Sequence, residues 1–142
     1  MGRLACFDYG RARIGISISD ERKIIASPLQ VLKVPKSAKL LFQEMQKILS
    51  PHFPFDLFIV GLPLLLNGKE GDMAEEARAF GTALSKFFSI PCLYWDERLS
   101  SSQADKLMKE ASLTRKQRAG LVDTMSSTLI LQNYMDCKSR LS

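Results

Sequence analysis

Three acidic residues, Asp8, Glu97 and Asp123, stand in settings where a carboxylate does chemistry rather than solvate a surface. Asp8 closes the apolar run RLACFDY just before Gly10, and Asp96-Glu97 follows the apolar stretch Cys92 to Trp95. Asp123 lies in a helical stretch with Leu121, Val122, Met125 and Leu129 on one face and Ile130 and Tyr134 on its own side. A carboxylate at the end of a buried strand is costly to desolvate unless it meets a cation. Three converging carboxylates repel one another unless divalent ions bind between them. Mg²⁺ takes carboxylate oxygens, keeps several waters and completes its shell with substrate phosphates, and Mn²⁺ accepts the same donors. Two such ions can activate a water and stabilise the leaving oxygen of a phosphodiester. Asp8, Glu97 and Asp123 are therefore expected to be both catalytic and metal-ligating, with two Mg²⁺ or Mn²⁺ ions as cofactor. Each residue also has a plainer reading. Asp8 can accept turn hydrogen bonds, Glu97 can pair with Arg98 in a solvated turn, and Asp123 can be a helix-surface charge. Glu97 is favoured over Asp96 as the ligand, with Asp96 orienting the loop.

Basic residues follow the same three places. Arg11 and Arg13 come directly after Asp8, Arg98 follows Glu97, and Arg115-Lys116-Gln117-Arg118 opens the helix that bears Asp123. A helix N-terminus already favours anions, and added Arg and Lys make a phosphate clamp. These six cations are the expected substrate-binding residues; the alternatives are a solvated basic turn and an Arg13–Asp8 pair. The net charge of +5 and the pI near 9.2 agree with a polyanionic partner, because neutralised phosphates supply most non-specific nucleic-acid affinity.

The remaining features exclude more than they assign. Cys6, Cys92 and Cys137 are odd in number and far apart, which argues against a disulfide framework or a zinc site and suits a reducing cytosol. No signal-peptide core and no uncharged apolar run near 18 residues appears, so a cytoplasmic protein without a membrane partner is expected. His52 reads as structural, and Tyr94 and Trp95 as core rings rather than a base-stacking platform. Gly68 and Gly71 flank a mobile-looking loop.

The elements that must position the carboxylates follow from periodicity. Residues 3–9 form a buried strand. Residues 13–19 alternate, Ile14, Ile16 and Ile18 against Gly15, Ser17 and Ser19, which predicts a half-buried strand antiparallel to the first. A third strand spans about 24–34. Leu41, Met45 and Ile48 predict an amphipathic helix stopped by Pro51, and residues 57–60 a buried strand ending at Gly61-Leu62-Pro63. Asp72 and Glu75 have capping-box spacing before a helix burying Met73, Ala77, Phe80, Leu84 and Phe87. A short strand at Cys92 to Trp95 comes next, then a helix capped within 100–102 and a last helix with a capping box at Thr114-x-x-Gln117. The order βββαβαβαα implies one α/β domain over 1–142, a mixed five-stranded sheet with helices on both faces, as in the ribonuclease H-like fold.

Asp8-x-Gly10-x-x-Arg13-Ile14-Gly15, Gly61-Leu62-Pro63, Asp96-Glu97-Arg98-Leu99-Ser100-Ser101 and Val122-Asp123, in that order, resemble the YqgF (RuvX-like) family over nearly the whole chain. The resemblance implies a ribonuclease H-like nuclease, homologous to Holliday-junction resolvases, that trims the 5′ end of precursor 16S ribosomal RNA. It maps the family's acidic site onto Asp8, Glu97 and Asp123, and its motif-bound basic residues onto Arg13 and Arg98. Two stretches depart from the pattern: Ser126-Ser127 replaces the usual alanines, and Leu64-Leu65-Leu66 makes the loop after Gly61-Leu62-Pro63 more apolar. Structured RNA and branched DNA both remain open as substrates, and monomer and homodimer as assemblies. The competing functions are Holliday-junction resolution, a non-catalytic nucleic-acid-binding module, and a phosphotransferase of the actin or sugar-kinase kind. The last needs two such lobes to enclose ATP, where this length supplies one.

Overall fold

In a computed structural model, residues 2–65, 67–96 and 115–141 are described, with side chains of the last segment described over 125–138. Five strands form one sheet in the order β3-β2-β1-β4-β5. They are β1 (Arg3–Tyr9), β2 (Arg13–Ser19), β3 (Ala26–Lys33), β4 (Phe55–Leu62) and β5 (Cys92–Asp96). The helices are α1 (Ala38–Leu49), α2 (Asp72–Phe88) and α3 (Arg115–Leu141), with a short 3₁₀ turn at Ser50–His52. β1–β2 and β2–β3 pair antiparallel, and β1–β4 and β4–β5 parallel. The mixed five-stranded sheet is thus as expected; the anticipated helix after Ser100 and the Thr114 cap lie outside the described residues.

Each strand sorts its side chains by the period of two. Ala5, Phe7, Ile14, Ile16, Phe58 and Val60 join α1 and α2 in the larger core. Leu4, Cys6 and Ile59 meet Ile130, Leu131, Tyr134 and Met135 of α3 on the other face. β2 is consequently buried from Ile14 to Ser19, not half-buried as its alternation predicted. Small size, rather than solvent, explains the polar half of the pattern: Gly15, Ser17 and Ser19 let α3 come close. Ser19 Oγ accepts from Leu4 N–H (2.8 Å) and donates to Asp20 O (2.9 Å). β3 is an edge strand that tolerates Pro28, a residue with no N–H to give a ladder.

α1 is capped by Ser37, whose side chain accepts from Leu40 N–H, and it buries Leu41, Phe42, Met45 and Leu49. In α2 the capping box does not form. Gly71 is the N-cap, Glu75 N–H bonds Gly71 O (3.1 Å), and Asp72 already lies inside the helix. The acidic first turn still suits the helix dipole. The buried stripe of α2 is Ala74, Ala77, Phe80, Gly81 and Leu84, rotated from the expected one, so that Phe87 is 44% exposed. The loop before α2 is a small hairpin: Leu64 and Glu70 pair, Leu65 N–H bonds Lys69 O, and Gly68 takes φ 83°.

Candidate active site

Because β1, β4 and β5 run parallel, their C-terminal ends share one edge of the sheet, where α/β proteins place ligands. Asp8 stands on β1 at that edge, half-buried. Leu4 and Cys6 face α3, and the period of two puts Asp8 on that face as well. Its partner in β2 is Gly15. The β1–β4 register ends at Phe7 opposite Val60, and one further step sets Asp8 beside Gly61. Both glycines are buried. Asp8 therefore stands between two strand positions without side chains. A half-buried carboxylate at this edge offers the oxygen donor that a hard divalent cation takes.

Asp96 is different. It pairs with Leu62 at the end of β4 and is exposed, and its parity is that of Cys92 and Tyr94, which pack on the larger core. Strand parity thus puts Asp96 and Asp8 on opposite faces of the sheet. Glu97 and Arg98 lie outside the described residues.

The arginines are also split by the sheet. Arg13 shares parity with Gly15, Ser17 and Ser19, and so lies on the face of Asp8, exposed at the start of β2. Arg11, in the connecting turn, reaches the other way to Glu76 of α2, with Nε at 3.1 and 2.9 Å from the two carboxylate oxygens and Nη2 bonded to Oε2. That pairing raises the Arg11 pKa and lowers that of Glu76. With Arg11 67% exposed, it is a positional restraint more than a source of stability. Gly10 shapes the turn, since a Cβ there would lie 2.7 Å from Arg13 O.

The ring residues before Asp96 are held by packing, as expected. Tyr94 Oη donates to Arg78 O (2.9 Å), and Arg78 lies over its ring while binding Glu70 through two hydrogen bonds of 2.7 Å. Trp95 Nε1 donates to Asn133 Oδ1 (3.0 Å), and its ring meets Tyr134 edge-on. The His52 carbonyl accepts from Arg3 Nε (3.2 Å), a structural role. Cys6, Cys92 and Cys137 are in no disulfide, and burial pushes the Cys92 thiol up to about 11.

Arg115, Lys116, Arg118 and Asp123 belong to the first part of α3, ahead of its described side chains. Beyond them the buried stripe reads Ser126, Ser127, Ile130, Leu131, Tyr134 and Met135. Ser126 and Ser127 are 1% and 0% exposed, so small residues do bring α3 against the sheet. Ser17 Oγ and Ser126 Oγ have no hydrogen-bond partner among the described residues. Among those residues no three potential metal ligands gather; of the three expected ligands, only the side chain of Asp8 is among those described. No described helix is long and apolar enough to cross a membrane.

A half-buried carboxylate at the parallel edge of a β3-β2-β1-β4-β5 sheet, with helices on both faces, defines an α/β protein of the ribonuclease H-like class. Similar folds include Thermus thermophilus RuvC in complex with a Holliday junction substrate (TM-score 0.58, 15% identity, 98% of this chain and 96% of that one). Another is the Fowlpox virus resolvase with Holliday junction DNA (TM-score 0.58, 14% identity, 96% and 98%). The chain belongs to the RuvX family, described as Holliday junction resolvase, which it matches over residues 2–137. Relatives provisionally named pre-16S rRNA nuclease come from Protochlamydia amoebophila (38% identical, 96% of this chain and 94% of that one) and Rhodobacter capsulatus (38%, 96% and 84%). A third, from Lactococcus lactis, is 35% identical over 94% of each. The family is one of nucleic-acid hydrolases.

Proposed function

We propose that the chain is a metal-dependent nuclease that processes the 5′ end of precursor 16S rRNA. The observation that carries this reading is the Asp8 carboxylate, half-buried between Gly15 and Gly61 at the parallel edge of the sheet. Glu97 and Asp123 complete the ligand set in this reading. Backbone geometry supports Asp123. Tyr134, Met135 and Lys138 adjoin Leu4 and Leu57 near the N-terminal ends of β1 and β4, so α3 runs antiparallel to β1. From Tyr134 back to position 123 is about 16 Å at 1.5 Å per helical residue; from Leu4 to Asp8 is about 13 Å at 3.3 Å per strand residue. Backbone positions 8 and 123 then come to about the same level.

Two Mg²⁺ or Mn²⁺ ions held by Asp8, Glu97 and Asp123 would lower the pKa of a water and balance the charge of the leaving 3′ oxygen. The chain's own part is to hold those oxygens rigidly on β1 and α3, and to seat phosphates with Arg13, Arg98 and the cations Arg115, Lys116 and Arg118. The family description favours one further reading, cleavage of four-way DNA junctions.

The test is an end-labelled cleavage panel with and without Mg²⁺ or Mn²⁺. It comprises precursor-rRNA ends, single-stranded RNA and DNA, and four-way junctions. Cleavage of the rRNA precursor, leaving 5′-phosphate and 3′-hydroxyl ends, is the expected result; a preference for junctions transfers the assignment to DNA. Asp8→Asn and Glu97→Gln should stay folded by circular dichroism and lose roughly a hundredfold or more in rate. The double substitution should be little worse, because ligands of one centre act as a unit. Variants that cut as fast as wild type place the site elsewhere.

A further inference from the structure

Tyr9 follows Asp8 directly, and the strand period turns it to the opposite face of the sheet, where it packs against the larger core. There it borders a groove of about 240 Å³ between α1 and α2. The buried rings of Phe80 and Phe42 and the half-buried Tyr9 are its aromatic lining, the exposed Ala38 and Ala83 add only methyl groups, and Glu76 stands at its mouth. The rings continue one another: Tyr9 stacks on Phe80 (centroids 5.0 Å apart, 30° between planes), and Phe80 lies parallel to Phe42 (6.2 Å, 11°). Arg11 is fixed at the same mouth by Glu76. Glu76 occupies the Nε and Nη2 edge, while a guanidinium has five N–H donors and this side chain is 67% exposed. An open apolar depression, an aromatic neighbour and an oriented cation are parts with which proteins hold an unpaired nucleotide.

We propose that the groove beside Tyr9 is a nucleobase subsite: an unpaired base next to the scissile phosphate enters between α1 and α2, and Arg11 takes its phosphate. The inference rests on the nuclease reading and narrows it to substrates with a single-stranded segment at the cut, since a base stacked in a duplex cannot enter. Continuity with Asp8 argues for this occupant, because the strand leaving Asp8 on one face would cross the sheet edge at the Gly10–Arg13 turn and meet Arg11 first. Glu76 acts as a positioning residue that aims Arg11.

The test uses single-stranded RNA oligonucleotides spanning the precursor cleavage junction, each with one abasic position. Affinity is read by fluorescence anisotropy in EDTA, and cleavage separately with Mg²⁺. One abasic position should weaken wild-type binding by about five- to a hundredfold, the worth of one base–aromatic stack. Tyr9→Leu, and Ala83→Met, which fills the groove from an exposed helix position, should lose the same factor on intact RNA and match wild type on that abasic RNA. Ala83→Met keeps the test decisive should Tyr9→Leu not fold. If wild type cleaves the intact RNA yet tolerates an abasic site everywhere, or if Ala83→Met binds as wild type does, the subsite is overturned and the nuclease reading stands. If wild type neither binds nor cleaves any member of the panel, both fall.

Discussion

At position 10 a methyl group would sit against the Arg13 carbonyl, which is backbone and cannot swing away. Gly10→Ala should therefore cost about 1–3 kcal/mol, read as a lower denaturant midpoint at unchanged slope. It should also disturb Arg11 and Arg13, which leave that turn for opposite faces. Cys92 offers a second residue-level prediction. Burial holds its thiol protonated up to about pH 11. A folded pKa raised above the unfolded value means that its contribution is complete below the ordinary thiol range. It is lost as pH climbs from there toward 11. Alkylation followed by site-resolved mass spectrometry should find Cys92 slow at pH 8, faster with each unit of pH, and fast at once in urea; rapid labelling of the native protein at pH 8 would contradict this. Asp8 and Gly10 were legible because a carboxylate and a glycine closing an apolar run have few structural uses. Arg11–Glu76 was not, since no local pattern announces a pair that joins a turn to a helix 65 residues on.

Elements were legible where period and composition agreed, as in β1 and α1. They misled where small residues imitate polar ones. β2 looked half-exposed because Gly15, Ser17 and Ser19 alternate with isoleucines, yet their small size is what admits α3. In α2 the Asp72/Glu75 spacing imitated a cap, but Gly71 occupies that position and Asp72 is helical. On α3, the buried Ser126 hydroxyl has no partner among the described residues. Ser126→Ala should raise stability by up to about 1 kcal/mol, with cleavage unaltered. Ser126→Leu should cost about 1–3 kcal/mol by overpacking and depress cleavage further than folding, by lifting the helix from the sheet. Equilibrium unfolding beside initial rates separates the two effects. The β2–β3 turn depends on Asp20, whose Oδ1 accepts from Ile24 and Ile25 N–H at 2.7 and 2.9 Å and whose pKa is thereby lowered. A depressed carboxylate contributes stability above its unfolded pKa and loses it as pH falls through the folded one. Asp20→Ala should accordingly melt lower than wild type at neutral pH, and the gap should close in acid; an equal gap at both pH values would rule the charge out.

For the whole molecule, the net charge of +5 becomes informative once nucleic acid is the substrate. Affinity should fall with salt, and replacing Arg13 or Arg118 by Gln should reduce the log–log slope by about 0.7–0.9 per lost phosphate contact; salt-independent binding would reduce the charge to a solubility device. The architecture was readable from the order of periods, but which faces Asp8 and Asp96 occupy needed the pairing register. One consequence concerns motion. β1 is the middle strand, bonded on both sides and covered on both faces. Strands of that kind open only when the entire domain opens, so the amides of Ala5 to Phe7 should retain hydrogen against deuterium as long as any in the chain. Asp8 is then fastened to the slowest-exchanging part of the protein. Breathing of loops and helix ends would change how nucleic acid reaches this carboxylate without changing where it stands.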